Sequence, residues 1–288
     1  MRKGIQGIII LLFVIGLPVQ AAAREVYVAL GDSLAAGQTP YQQIDQGYTD
    51  LIAAELARSG NLALFSKDLA FPGYTAEQVY QSIQSDEAKE LLNQSSLITI
   101  SAGANDLLRV VASNPEQGTL SYQQRTADLA LNEARKSLVK LLSELQNVAP
   151  NATIYVVGYY FAYPHVAESQ KQGTAKELDR LNEVLKRTAE TYGATFVSVE
   201  AMMNQALQQY VPNPADVHPV QEGYRQMANA VLSKLPHPSV IELYEMPVPH
   251  PISFEEILQQ RQIQREASDE QASYQKIGLA LARILPLA

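Results

Sequence analysis

Five short runs along the chain are apolar without polar alternation: Val26 to Leu30, Leu62 to Phe65, Leu97 to Ile100, Ile154 to Val157 and Thr195 to Val199. A strand that reads this way is buried on both faces, as in a parallel sheet covered by helices. Longer segments of helical period lie between them. Tyr122 to Val148 is amphipathic and stops before Pro150 and Asn151, a helix-ending pair. Thr174 to Glu177 has the form of a capping box, followed by Leu178, Leu181, Leu185 and Tyr192 at roughly helical spacing, which predicts a helix opening at Thr174. Strand and helix thus alternate, and the pattern predicts an α/β three-layer sandwich, doubly wound, with about five parallel strands.

The two ends depart from this pattern. Arg2 and Lys3, an apolar run from Ile8 to Leu17 and the small residues Ala21 to Ala23 have the layout of a cleavable secretory signal over residues 1–23, cut after Ala23. About ten apolar residues fall short of the roughly twenty that span a bilayer, so the expected location is extracellular. From Pro236 to Pro251 the chain holds prolines at 236, 238, 247, 249 and 251, the composition of an extended linker. Ser253 to Glu256 forms another capping box ahead of Ile257, Ile263, Ile277, Leu281 and Leu285. The expected organisation is a main domain over 24–235 and an appendage over 236–288, a linker and an amphipathic helix. That helix packs back on the domain, or else acts as a lid, meets a lipid interface or binds a partner.

Composition narrows the function. The chain has 22 Lys and Arg against 30 Asp and Glu, a formal charge of −8; losing Arg2 and Lys3 with the signal takes it to about −10. With no basic cluster, nucleic acid is not an expected partner. Cysteine is absent, which rules out a disulfide framework, a thiolate metal site and a lipid-modified cysteine at the signal's end.

Ligands of a parallel α/β sheet bind beyond the carboxyl ends of its strands. The first three runs are followed there by Gly31-Asp32-Ser33-Leu34, Phe71-Pro72-Gly73-Tyr74 and Gly103-Ala104-Asn105-Asp106. A hydroxyl and several hydrogen-bond donors at one edge meet the needs of acyl transfer. Ser33 is the candidate nucleophile, and the N–H groups of Ser33 and Gly73 with the amide of Asn105 are candidate oxyanion donors. The serine needs a base. Of the four histidines, His218 in Asp216-Val217-His218-Pro219 is the first candidate, and His165, after the fourth strand, the second.

These blocks, in this order, resemble the SGNH hydrolases, also called GDSL hydrolases, over about Val26 to Leu235, and come nearest to secreted GDSL lipases and esterases of spore-forming Gram-positive bacteria. The resemblance implies a flavodoxin-like sheet and a serine ester hydrolase that works through an acyl-enzyme with no metal or organic cofactor. The family usually sets its acid three residues before the histidine, where this chain has Ala215; Asp216, two before, is the candidate triad acid, its alternative role being a helix cap. Asp32 and Asp106 are read as turn-holding residues. Tyr159 to Pro164, an aromatic loop, is a candidate acyl-pocket wall or core packing. A small-molecule or lipid ester, such as a lysophospholipid, is the expected substrate. The alternatives are a carbohydrate O-acetyl esterase and a surface or binding protein that has lost turnover.

Overall fold

The computed structural model describes residues 24–259 and 262. Five parallel strands, β1 (Glu25–Gly31), β2 (Leu62–Ala70), β3 (Leu97–Ser101), β4 (Thr153–Val157) and β5 (Thr195–Val197), form one sheet in the order β2-β1-β3-β4-β5. The order follows from burial. All five residues of β3 and the last five of β1 are buried, which suits the middle of a sheet covered on both faces. By contrast β2, an edge strand, carries Ser66, Lys67 and Asp68 and leaves Leu64 exposed.

Among the described residues the sheet is flanked by the helices α1 (Ser33–Ala36), α2 (Tyr48–Arg58), α3 (Ala76–Ser82), α4 (Asp86–Asn93), α5 (Ala104–Leu108), α6 (Gln124–Val148), α7 (Glu168–Thr191), α8 (Glu200–Met203), α9 (Leu207–Tyr210) and α10 (Gln221–Leu232). One group packs α2 against α10; the other packs α3, α4, α5 and α7 around α6. The buried stripe of α6, with Ala127, Leu131, Ala134, Leu138, Leu141, Leu142 and Leu145, has the spacing of a single core-facing helix surface. The expected three-layer α/β sandwich is therefore present.

One helix start differs from expectation. α7 opens at Glu168, and Thr174 lies inside it, donating its hydroxyl to the Gln170 carbonyl at 2.7 Å. Long-range bonds stabilise the added turns. Ala167 N–H donates to Gly118 O at 2.8 Å and Leu120 N–H to Gln170 Oε1 at 3.4 Å, tying α7 to a hairpin of Ala112–Asn114 and Thr119–Ser121. Glu177 bonds Arg180 and Gln124 rather than closing a capping box.

The proline-rich segment runs along the body. Ile241 is buried, and its N–H and C=O bond the Asn229 side chain on α10 at 2.8 and 3.1 Å. Ile252–Ser253 pairs antiparallel with Gln43–Ile44, and Ile257 packs on the core. The expected capping box is made: Ser253 N–H donates to Glu256 Oε2 at 2.8 Å and Glu256 N–H to Ser253 Oγ at 3.2 Å. The stretch read as a secretory signal and the expected helix positions Ile263, Ile277, Leu281 and Leu285 lie outside the described residues.

Candidate active site

The order of the sheet reverses at β1, whose neighbours β2 and β3 take the chain to opposite sides, and ligand crevices form beyond such a reversal. Gly31, the last residue of β1, has φ +144°, and a Cβ there would stand 2.3 Å from Ser101 O. Only glycine fits this turn. Asp32 then donates its N–H to Ser101 O at 2.9 Å, while its Oδ1 caps α1 at Leu34 N, 3.0 Å away. Ser33 becomes the first residue of α1, where a backbone N–H has no helical acceptor.

The second half of the site arrives from residues 213–219. Asn213 anchors this loop by donating Nδ2–H to Pro40 O at 2.8 Å, and Tyr160 OH donates to Val217 O at 2.7 Å. Thus held, His218 sets Nε2 2.7 Å from Ser33 Oγ and Nδ1 2.6 Å from Asp216 Oδ1. Since a carboxylate only accepts, Nδ1 carries the proton, leaving Nε2 to accept from the serine hydroxyl. His218 N–H also donates to Asp216 Oδ1, at 2.8 Å. Burial alone pushes the Asp216 carboxyl up, but the bonds and charge of His218 and the neighbouring N–H groups outweigh it, and the group titrates below the usual carboxylate range. The two-residue spacing therefore brings acid, imidazole and hydroxyl into one chain of hydrogen bonds.

His165, the second candidate base, instead places Nε2 2.7 Å from Val211 O. Asp32 and Asp106 are occupied by turns, Asp106 accepting from Ala76 N at 2.9 Å. Asp32 has partners that no local pattern announced: Ser101 Oγ donates to Oδ1 at 3.0 Å and Tyr159 OH to Oδ2. Burial pushes the Asp32 carboxyl up, opposed by its bonds from Tyr159, Leu34 and Ser101. Tyr159 is itself fixed by Asn182, which bonds its N–H and its C=O at 2.9 Å each.

Of the candidate oxyanion donors, Asn105 stands one residue into α5 and donates one Nδ2–H to Tyr74 O at 2.9 Å, leaving the other for a ligand. Gly73 has φ +80°, and its carbonyl accepts from Arg109 Nη2 at 2.8 Å. Asn105 in α5 and Arg109 at its C-cap thus brace the loop that carries Gly73. Ser33, Asn105 and His218 all line a cavity of about 100 Å³ whose other walls include Leu107, Leu178 and the aromatic residues Tyr159 to Phe161.

Residues 29–226, more than half of the chain, match the model of the GDSL-like Lipase/Acylhydrolase family. No curated protein matches the sequence. Among solved structures, a lipase from a goat rumen metagenome is similar at a TM-score of 0.57 and 18% identity, covering 71% of this chain and 94% of its own. A catalytic mutant of an acetylxylan esterase from Geobacillus stearothermophilus is similar at a TM-score of 0.56 and 16% identity, covering 76% and 98%. An extracellular lipase from Streptomyces rimosus is similar at 0.51 and 19%, covering 73% and 99%. At such identities the likeness is one of fold.

Proposed function

Because the chain belongs to the GDSL-like lipase/acylhydrolase family, we propose that it is a secreted carboxylic ester hydrolase in which Ser33 is acylated and His218, oriented by Asp216, moves the protons. The observation that carries this reading is the unbroken chain from Ser33 Oγ through the His218 imidazole to Asp216 Oδ1. Ser33 Oγ attacks the ester carbonyl as its proton passes to Nε2. The tetrahedral oxyanion is held by the N–H groups of Ser33 and Gly73 and the free Nδ2–H of Asn105. Nε2–H then protonates the leaving alcohol, and an acyl-enzyme remains. Water attacks it with His218 as base, releasing the acid and restoring Ser33.

Export rests on Arg2, Lys3, the apolar run and Ala21 to Ala23. The reading includes affinity with secreted enzymes of spore-forming Gram-positive bacteria and contact of the C-terminal segment with a lipid interface. A fluorophosphonate probe should label the parent and not Ser33→Ala, which should lose several powers of ten in kcat on p-nitrophenyl esters. A parent that takes no label would mark a binding protein, and a Ser33→Ala variant that keeps most activity would remove Ser33 from the mechanism.

A further inference from the structure

The cavity beside Ser33 has a composition that the acyl-transfer chemistry does not require. Beyond Ser33, His218 and Asn105 its walls are largely apolar, with Leu107, Leu108, Val111, Ala127, Leu178 and Leu181 among them. Where α6 and α7 meet, Tyr122 OH donates to Gly173 O at 3.4 Å and Gln124 Nε2–H to Glu177 Oε1 at 3.0 Å. Glu177 also holds Arg180. Its carboxylate is thus ion-paired with Arg180 and hydrogen-bonded by the neutral Gln124 amide, and the wall it contributes to offers no unpaired charge to a guest.

We propose that this cavity seats the acyl chain of the substrate, and that it selects short to medium straight chains of about four to eight carbons over acetyl and over long fatty acyl groups. The proposal rests on the reading of Ser33 as the nucleophile and adds the acyl class it accepts. An apolar cavity of roughly 150 Å³ takes up benzene, so about 100 Å³ holds roughly four carbons beyond the carbonyl before further chain must reach the cavity mouth. Acetyl leaves the space empty. Each methylene buried on entry strengthens transition-state binding by about fourfold, and the series from acetate to hexanoate should gain up to roughly two powers of ten in kcat/KM.

Two wall residues make the assignment testable. Ala127 is nearly fully buried on α6 and offers only a methyl group, so Ala127→Leu fills the cavity; Leu178 on α7 is half-buried, and Leu178→Ala enlarges it. The experiment measures kcat/KM of the full-length parent and both variants on p-nitrophenyl esters from acetate to palmitate. A second series holds the acyl group at butyrate and lengthens the alcohol. The parent should peak between butyrate and octanoate. Ala127→Leu should lower the hexanoate-to-acetate ratio at least tenfold, and Leu178→Ala should move the optimum at least two carbons longer. General damage would instead scale all esters alike. A parent that prefers acetate, variants with the parent's acyl ratios, or shifts that follow the alcohol series would each overturn the proposal. Fluorophosphonate labelling of the parent separates the failures: loss of labelling sinks the nucleophile, whereas labelling with a flat profile sinks only the acyl seat. If a variant fails to fold, the parent's own profile decides.

Discussion

The same oxygen of Asp216 accepts two bonds, from the His218 backbone N–H at 2.8 Å and from Nδ1 at 2.6 Å, which makes Asp216→Asn an unusually clean perturbation. An amide that turned its NH2 toward the imidazole would also face the backbone N–H, donor against donor. The variant should therefore keep its carbonyl oxygen in place, preserve the Nδ1–H tautomer and lose only the negative charge. A bond to a charged group contributes about 1.5–3 kcal/mol against about 1 for a neutral one. The imidazolium that forms in the transition state adds a Coulomb contribution, of order 4 kcal/mol at 4 Å near a protein surface, reduced here because Asp216 is partly open to water. A loss near 3 kcal/mol is about a hundredfold in kcat. Asp216→Ala removes the tautomer lock as well and should approach the ten-thousandfold loss of a well-built triad. The assay is kcat/KM for p-nitrophenyl butyrate across pH, with both variants beside the parent. Equal losses in Asn and Ala, or an Asn variant within threefold of the parent, would refute the argument. Ala215→Asp should not rescue either one: Ala215 is exposed, and its N–H is bound to Asn213 Oδ1.

Other consequences can be checked in the same preparations. Asn105→Ala should lower kcat by roughly a hundredfold with little change in KM, because the free Nδ2–H acts on the developing oxyanion; steady-state kinetics separate the two constants. Ending the chain at Pro238 removes Ile241 and strips the buried Asn229 amide of both bonds. The cost is about 1.5–3 kcal/mol of apolar burial and about 1–3 kcal/mol for the unpaired amide, seen as a lower Tm, whereas ending it at residue 259 keeps both. The raised pKa of Asp32 makes the folded chain hold its proton longer than the unfolded one, so this group reduces stability as pH rises above the ordinary carboxylate range. The Tm of Asp32→Asn relative to the parent should accordingly increase from pH 4 to pH 7. Asp216, with its lowered pKa, acts in the opposite sense: its stabilisation is present above the ordinary range and disappears as acid protonates it, which thermal melts of Asp216→Asn against the parent would follow.

What the sequence made legible was local. The buried strands announced themselves as unbroken apolar runs, and the turns of the site as short Gly, Asp and Asn clusters at their ends. β2 reached Ala70 rather than Phe65 because an edge strand tolerates Lys67 and Asp68, which break the apolar pattern. α7 began before Thr174 because the hairpin at Gly118 and Leu120 supplied partners that no helical period encodes. The site followed the same division. Ser33, Asn105, Asp216 and His218 were readable as residue types in place, while the bonds that Ser101 and Tyr159 make to Asp32, and Asn182 to Tyr159, were not. These three act across separations of 69, 127 and 23 positions. The wall at Ala127 escaped for a related reason, since an alanine on a core-facing helix stripe has no signature that separates a cavity wall from ordinary packing.

The bond between Ser33 Oγ and His218 Nε2 joins residues 185 positions apart, with four of the five strands lying between them in the chain. Closing so long a loop comes late in folding, after the sheet that spans it has formed. A polypeptide that emerges amino end first therefore carries its hydroxyl for most of its synthesis without the imidazole that would activate it. On the proposed mechanism, hydrolysis begins only when α10 docks on α2. In a refolding experiment, regained turnover should lag the far-ultraviolet dichroism that reports the helices, and the lag itself becomes a clock for the final docking step.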